Sequence, residues 1–263
     1  MFQEMESRKS TEILEWLKTG EISNPRTDNH FIMRFLEGCK LRVDKAKVKM
    51  KNFYEMRRNT PEWFDQRDPF LKSNHELLEL GILFPLPLKD EDGRTIIIVR
   101  ATANDPKKNP MVDVFKVGMM IVDLALELDE TIAKNGAVVI IDMQGVGLGH
   151  ALQMTPNLIK KAVHSWQDCY PIRIKSIDFI NCPSYIHVVL NVFKQFMREK
   201  LRKRVSAHGK NLANFLQTID PKLLPEEYQG SCGSINTIIK DWKEKAEAHK
   251  QWFLDDITIK AQE

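Results

Sequence analysis

The chain has 263 residues, of which 43% are hydrophobic and 29% are charged. This balance excludes a disordered or a fibrous protein, and the length allows a core large enough to enclose a cavity. The formal net charge of +3 is too small to predict binding to nucleic acid, so any basic surface with a function must be a local cluster.

The first section of the chain, Ser10 to Pro61, has apolar residues at helical spacing. Asn24-Pro25 and a second interruption divide it into three short helices. Asp28 or Asn29 can cap the second helix, and Asp44 can cap the third. The sequence therefore predicts a helical N-terminal lobe.

The next section alternates between runs typical of strands and runs typical of helices. Strands are predicted at Ile82 to Leu88, Thr95 to Arg100, Ala137 to Ile141 and Ile174 to Phe179, and helices at Asp113 to Ile132, Pro156 to Trp166 and Pro183 to Val205. The strands are apolar on both faces, as in a buried parallel sheet, and the intervening helices imply right-handed crossovers. The predicted fold class is α/β with a helical N-terminal lobe.

The predicted helix Pro183 to Val205 combines an apolar stripe with a basic C-terminal half. Apolar residues recur every three or four positions along it, and its second half carries six Lys and Arg residues against the single acid Glu199. It is either a solvated surface helix with an ordinary core stripe or a helix that faces a membrane, where each cation near an anionic bilayer contributes about 1 kcal/mol. Periodicity alone does not separate these two interpretations.

Two motifs that would indicate nucleotide binding or catalysis are incomplete. The glycines of Gly145 to Gly149 follow a strand, but their spacing is GxGxG instead of GxGxxG, and Asp142 lies where it would repel a phosphate. Cys169 or Ser165 could be combined with scattered histidines, but no GxSxG nucleophile motif occurs. We therefore expect no catalytic residue, no cofactor and no enzymatic activity.

The cysteines indicate neither a metal site nor a disulfide framework. Cys39, Cys169, Cys182 and Cys232 are far apart, without a CxxC pair or a histidine at zinc-ligand spacing, so reduced and packed thiols are expected. The N-terminus lacks the apolar region of a signal peptide, and the longest apolar runs are close to strand length. These features predict a cytoplasmic protein without a membrane span.

Five blocks of sequence, in order along the chain, match a known family. They are Asp28 to Ala46 with Phe35-Leu36 and Val43-Asp44-Lys45-Ala46, then Asp92-Gly93-Arg94 with Ile96 to Arg100, GAVVIIDMQG from Gly136 to Gly145, Gln167 with Tyr170-Pro171 and INCP from Ile180 to Pro183, and Val205 to Gly209 with LPEEY from Leu224 to Tyr228. With these blocks the chain resembles the CRAL-TRIO (Sec14-like) lipid-binding family. Within it, the sequence is most similar to the branch of the α-tocopherol transfer protein and cellular retinaldehyde-binding protein.

The resemblance implies a three-helix lobe and a mostly parallel sheet that forms the floor of an apolar pocket, closed by a gate helix at Pro183 to Val205. It implies a lobe at residues 1–75, a lipid-binding domain at 76–230 and a C-terminal helical extension at 231–263. The pocket residues carried over by position are Phe115, Met119, Val122, Val139, Ile141, Trp166, Tyr170, Ile172, Ile177, Phe179, Ile186, Leu190, Phe193 and Met197. The phosphoinositide-binding residues carried over are Arg57, Arg173, Lys175, Lys200 and Arg204.

The function that the resemblance implies is that of a monomeric intracellular carrier. It would hold one hydrophobic ligand, such as a tocopherol, a retinoid, a carotenoid or another isoprenoid, and exchange it at phosphoinositide-containing membranes, with no nucleic acid as a partner. The residues from Asp113 to Glu130 include no Ser, Thr or Tyr, whereas tocopherol carriers place hydroxyls on this helix. Three alternatives stay open: a phospholipid-exchange or lipid-sensing protein of the Sec14 type, a nucleotide-dependent oxidoreductase, and an interaction module with a packed interior.

Overall fold

The computed structural model describes residues 2–258. The helices are α1 (Phe2–Leu17), α2 (Asn29–Gly38), α3 (Val43–Asn59), α4 (Pro61–Phe64), α5 (Lys72–Leu80), α6 (Met111–Leu128), α7 (Thr131–Asn135), α8 (Leu148–Gln153), α9 (Pro156–His164), α10 (Ile186–Phe196), α11 (Glu199–Arg202), α12 (Ala213–Leu216), α13 (Ile235–Ala248) and α14 (Lys250–Thr258). The strands are β1 (Leu83–Lys89), β2 (Thr95–Arg100), β3 (Ala137–Asp142), β4 (Ile174–Ile180) and β5 (Val205–Ala207). A π-helical segment (Ser165–Cys169) continues α9, and two 3-10 turns lie at Pro221–Leu223 and Glu226–Tyr228.

The five strands form one sheet in the order β1-β2-β3-β4-β5. Only the β1–β2 pair within this sheet is antiparallel, and the other neighbours are parallel, with Ile97 beside Val139 and Ile177 beside Val205. The crossover helices, including α9 and α10, cover one face of the sheet, and α12, α13 and the 3-10 turns cover the other, so both faces are buried as a parallel sheet requires. This arrangement confirms the predicted α/β class and its mostly parallel sheet.

The N-terminal lobe contains the three predicted helices, α1 to α3. The Asp28 side chain caps α2 by accepting a hydrogen bond from the Phe31 N–H at 2.9 Å. The capping role predicted for Asp44 is wrong, because α3 already begins at Val43 and Arg42 holds the cap position. Asp44 lies in the first turn instead, where a negative charge is favourable near the positive end of the helix dipole.

The helix predicted from Asp113 to Ile132 is divided in the structure. Asp129 has an extended backbone, with φ −136° and ψ 98°, and its carboxylate accepts hydrogen bonds from both the N–H and the hydroxyl of Thr131. This local turn starts the short helix α7. Gly136 ends α7 at φ 90°, a backbone conformation that favours glycine at the end of a helix.

The alternation along the central strands separates two apolar layers. Val139, Ile141, Ile177 and Phe179 belong to the cluster that contains buried residues of α9 and α10. Their neighbours in sequence face the other side, where a second cluster forms under α12, α13 and the 3-10 turns. The buried strand residues of this cluster are Phe84, Leu86, Ile96, Ile98, Ile140 and Ile180. The predicted pocket residues of β3 and β4 all lie in the first of these two layers, which is therefore the candidate ligand site.

The prediction of one continuous helix from Pro183 to Val205 is wrong. Helix α10 ends at Phe196, Met197 is extended, and after the four-residue α11 the chain enters β5 at Val205. Met197 and Leu201 nevertheless stay buried on the sheet side. The apolar spacing therefore continues through the break, which is why periodicity alone does not reveal it.

Candidate functional site

Helix α10 lies over the first apolar layer with its stripe facing inward. Ile186, Leu190 and Phe193 are buried in the same cluster as Ile141 of β3, and Trp166 stacks on Phe193 with ring centroids 6.5 Å apart. Nine of the fourteen predicted pocket residues come together here: Val139, Ile141, Trp166, Ile177, Phe179, Ile186, Leu190, Phe193 and Met197. We call this group the gate layer.

The other predicted pocket residues pack into the cluster of the N-terminal lobe; they are Phe115, Met119, Val122, Tyr170 and Ile172. Phe115 stacks on Trp63 of α4 at 5.0 Å, and the Tyr170 hydroxyl donates to Asp123 Oδ1 at 2.7 Å. Burial raises the pKa of Tyr170, and the neighbouring Asp123 carboxylate raises it further. Trp166 borders both clusters and connects the gate layer to this second group.

The gate layer is closed in this structure. A cavity of about 30 Å³ lies between the lobe and α14, and one of about 10 Å³ lies beside β1, and α10 lines neither. Since one water needs roughly 10 to 15 Å³, the larger cavity has room for two or three waters and the smaller for at most one, and neither has room for a lipid. A lipid can enter the gate layer only if α10 moves away from the sheet.

An exposed apolar patch adjoins the start of α10. The exposed fractions are 74% for Leu148, 71% for Leu152 and 68% for Val188, and the half-exposed Tyr185 donates its hydroxyl to the Val146 carbonyl at 2.9 Å. Leu148 and Leu152 are four residues apart and share one face of α8. We call these four side chains the apolar patch. Leu148 and Leu152 were not among the residues predicted from the sequence. Their spacing of four residues, directly after a glycine-rich turn, indicates a shared apolar face on a helix.

The glycine-rich turn from Gly145 to Gly149 has a structural role. Gly145 has φ +80°, a conformation that favours glycine, and the carboxylate of Asp142 is already occupied. It accepts hydrogen bonds from Asn181 Nδ2 and from the Tyr228 hydroxyl, both at 2.8 Å. Asp142 therefore anchors the end of the domain to β3.

A cluster of cations lies where the parallel strands begin. Arg173 immediately precedes β4, Lys175 is its second residue, and Arg204 precedes β5 and donates to the Ile174 carbonyl. Gly136 precedes β3, and a Cβ there would come within 2.3 Å of the Arg173 carbonyl oxygen. Within residues 2–258, Arg173, Lys175 and Arg204 form no ion pair with a carboxylate. We call Arg173, Lys175 and Arg204 the basic edge.

The lobe adds one more cation to this edge. Burial and then the nearby charges of Arg173, Arg94, Arg204 and Lys40 lower the pKa of Lys175. A Cβ on Gly38 would lie 2.2 Å from the Pro171 carbonyl oxygen, so the end of α2 touches the chain just before the basic edge. Arg94 is neutralised by Asp90 and Asp92, whereas Lys40 is exposed. The surplus of positive charge is suited to an anionic group.

Two residues of the predicted phosphoinositide set lie outside the basic edge. Arg57 is 4% exposed and donates to Asp123 Oδ2 at 2.5 Å and to Asp256 Oδ2 at 2.6 Å. The prediction for Arg57 is wrong, because a buried guanidinium held by two carboxylates does not reach a lipid headgroup. Lys200 is exposed on α11, one turn before Arg204.

The comparisons with known proteins agree with this architecture. Residues 80–230 match the family model of the CRAL/TRIO domain, and residues 2–74 match that of the Pinta-like, UBA domain. Clavesin-2 of Mus musculus is 33% identical over 208 residues, and Clavesin-1 of Xenopus laevis is 30% identical over 210; each alignment covers 78% of this chain. The chain spans 62% of the length of these relatives. The placement nearest to the tocopherol and retinaldehyde carriers stays a prediction.

The fold is also similar to that of solved structures, among them the crystal structure of Sfh5. The crystal structure of Sfh5 superposes with a TM-score of 0.55 and 16% identity, covering 86% of this chain and 87% of that one, and at this identity the likeness concerns the fold alone. Across the described chain, no helix combines the length and apolar character needed to cross a bilayer. The match over residues 80–230, more than half of the chain, shows that the chain belongs to the CRAL/TRIO domain family.

Proposed function

We propose that this chain is a monomeric cytoplasmic carrier, without enzymatic activity, that holds one hydrophobic lipid in the gate layer and exchanges it at membranes containing phosphoinositides. The observation that carries the proposal is the inward stripe of α10, where Ile186, Leu190 and Phe193 close on an apolar face of the sheet. A helix that moved outward would leave an apolar space between these two surfaces. Burying about 400 Å² of a ligand there contributes on the order of 10 kcal/mol before the cost of immobilisation.

The chemistry of the gate layer favours an isoprenoid cargo over a phospholipid. Its members are aliphatic, aromatic or sulfur-containing, and the Cys182 thiol already donates to the Phe179 carbonyl. Asp178 of strand β4, which pairs with His208 at 2.8 Å, lies on the opposite side of the strand from Ile177 and Phe179. A charged headgroup in the gate layer would therefore lack a partner, which is costly in a buried site.

Two surface features support exchange at a membrane. The apolar patch offers Leu148, Leu152 and Val188 to the boundary between headgroups and acyl chains. The basic edge offers cations that form no ion pair with a carboxylate of the described residues, and each contributes about 1 kcal/mol near an anionic surface. If the open form of α10 exposes more of either feature, the membrane binds that form more tightly and shifts the population toward it.

A vesicle assay tests the membrane part of the proposal. Replacement of Lys175 and Lys200 by Ala should weaken binding to phosphatidylcholine vesicles that contain phosphoinositide about 30-fold, since two cations contribute about 2 kcal/mol. The matched control replaces Lys18 and Lys72, which are exposed lysines of the lobe, and should leave binding unchanged. Equal losses in both variants would show a nonspecific charge effect and contradict a role for this surface.

Mass spectrometry of the lipid that co-purifies with the protein tests the cargo. An isoprenoid such as a tocopherol, retinoid or carotenoid supports the proposal. A phospholipid in its place would indicate the exchange or sensing function of the Sec14 type. A protein that retains no hydrophobic molecule after exposure to these lipids would contradict the carrier function and favour an interaction module, which the packed interior also suits.

A further inference from the structure

The π-helical segment Ser165–Cys169 lies between the lobe and the end of α10. It begins directly where α9 ends, and the Tyr170 N–H donates to the Ser165 carbonyl at 3.0 Å, the wide spacing of a π-turn. Short π-helical stretches carry a backbone cost and often occur at functional sites. The contacts of this segment show which parts of the molecule the π-helical turn connects.

One side of the segment holds the C-terminal end of α10. Gln167 Nε2 donates to the Phe196 carbonyl at 3.2 Å, and Gln167 Oε1 accepts from the Arg198 N–H at 3.1 Å. A single side chain thus satisfies the last carbonyl of α10 and the first amide after the break. The next residue, Asp168, pairs with the Arg198 guanidinium at 2.8 Å.

The opposite side of the segment is fixed to α3. Lys49 Nζ donates to the carbonyls of Gln167 and Tyr170, at 3.0 and 2.9 Å, and Asn52 Nδ2 donates to the Asp168 carbonyl at 3.2 Å. Lys49 is mostly buried, and burial lowers its pKa. The backbone that carries Gln167 is therefore held by the lobe, while the Gln167 side chain holds α10.

We propose that this segment is a catch that keeps α10 closed, and that Gln167 is the positioning residue through which the lobe sets the position of the gate. The inference rests on the proposed function, because a catch has meaning only if α10 opens. Trp166 adds an apolar contact by stacking on Phe193, and Asp168 adds an ion pair with the mostly exposed Arg198 side chain, but the hydrogen bonds to the backbone at the end of α10 are those of Gln167. Release of the catch frees the end of α10 without disturbing the apolar layer beneath it.

Hydrogen exchange on the ligand-free protein tests the catch directly. In Gln167→Ala the amides of residues 186–197 should exchange about tenfold faster, which is the effect expected from the loss of two partly exposed hydrogen bonds. The thermal unfolding midpoint should stay close to that of the unmodified protein. The matched control is Gln195→Ala, a glutamine exposed on α10 itself, which should leave the exchange of the gate unchanged.

Two further variants separate positioning from general loosening. Gln167→Glu keeps the acceptor for the Arg198 N–H and loses the donor to Phe196, so its exchange should be intermediate. Lys49→Met should loosen the same gate amides from the lobe side, and its combination with Gln167→Ala should be less than additive, because both act through one segment. Additive effects, or unchanged exchange of residues 186–197 in Gln167→Ala, would overturn the inference.

Lipid uptake distinguishes a failed catch from a failed carrier. The probes are fluorescently labelled tocopherol and fluorescently labelled phosphatidylcholine, each offered in phosphatidylcholine vesicles. Faster uptake of either probe by Gln167→Ala than by the unmodified protein supports the catch. Equal uptake by both proteins, with unchanged gate exchange, refutes the catch and leaves the carrier function standing; absence of uptake by both refutes the carrier function.

Discussion

The substitution Asp123→Asn tests what holds the lobe, α6 and α14 together. Asp123 is buried, and its Oδ2 accepts hydrogen bonds from Arg57 Nη2 and Arg67 Nη2, both at 2.5 Å. The same two guanidinium groups bond to Asp256 of α14 through their Nη1 atoms. Two buried cations are thus balanced by two carboxylates, and an amide at position 123 leaves one positive charge uncompensated.

The expected cost follows from this imbalance. Removing one partner of a buried ion pair destabilises a protein by about 3 to 5 kcal/mol, because the remaining charge stays out of water. If the Asn oxygen accepts from the Tyr170 hydroxyl, the Asn NH2 group faces the Nη2 donors of Arg57 and Arg67, so their acceptor is lost together with the charge; the amide has nearly the volume of the carboxylate, so no cavity forms. Against a total stability of about 5 to 15 kcal/mol, this is a large fraction.

Urea unfolding monitored by circular dichroism measures this loss. The urea concentration at the midpoint should fall, while the slope of the unfolding free energy against urea concentration stays constant. The control is Asp241→Asn, which breaks an exposed pair with Lys245 on α13 and should cost about 0.5 kcal/mol or less. A loss below about 1 kcal/mol for Asp123→Asn would refute the reasoning, since it would mean that water or a rearranged carboxylate compensates the two arginines.

Three further predictions concern other parts of the molecule. Replacement of Leu148 and Leu152 by Ser should reduce binding to neutral phosphatidylcholine vesicles about tenfold in a sedimentation assay and leave stability unchanged, because both side chains are already in water. Burial raises the pKa of Cys169 to about 12, so in the native protein at pH 8 a thiol reagent should label the half-buried Cys232 well before Cys169. Burial alone would raise the pKa of Glu127, but hydrogen bonds and charges from Arg34 and Arg26 outweigh it and lower the pKa. The Glu127 carboxylate therefore stabilises the fold above its unfolded-state pKa, and this stabilisation is lost as the pH falls through the folded-state pKa. In Glu127→Gln the free energy of unfolding should consequently fall less steeply as the pH is lowered through this range.

Each of these predictions has a result that contradicts it. Unchanged vesicle binding by the double Ser variant would show that the apolar patch does not meet lipid. Rapid labelling of Cys169 would mean that its environment opens readily and would revive it as a candidate nucleophile. An unaltered acid limb in Glu127→Gln would assign the loss of stability at low pH to other carboxylates.

The elements that the sequence predicted best are those whose signal is local. Strand β2 has the predicted ends because Ile96 to Val99 are β-branched and apolar on both faces, and α2 starts at its predicted cap because Asp28 bonds within its own turn. The break after α10 is accompanied instead by a contact with a residue far away in the chain. Gln167 donates to the Phe196 carbonyl and accepts from the Arg198 N–H across about 30 residues, and no spacing of apolar residues contains that information.

The charged residues also show that sequence position alone does not predict which side chains are buried in ion pairs. Arg57 and Arg204 are equally basic in sequence, yet Arg57 is enclosed by Asp123 and Asp256 while Arg204 lies at a sheet edge beside Lys175. The difference comes from α14, which brings Asp256 against α3 across 199 positions. Assignment by sequence position therefore placed Arg57 in the predicted phosphoinositide set and did not include the exposed Lys40, whose charge acts on Lys175 of the basic edge.

The two surface features proposed to meet a membrane lie at opposite ends of α10. The helix starts after the carboxyl end of β4, where it adjoins the apolar patch, and it ends near α11 and the residues that lead into β5, close to Arg204 of the basic edge. With 11 residues α10 is about 16 Å long, so both features can meet one flat bilayer only if the helix axis lies roughly parallel to it. The catch at Gln167 is at the basic end of α10, so in that orientation we expect the release of α10 to occur beside the cations that would bind anionic headgroups.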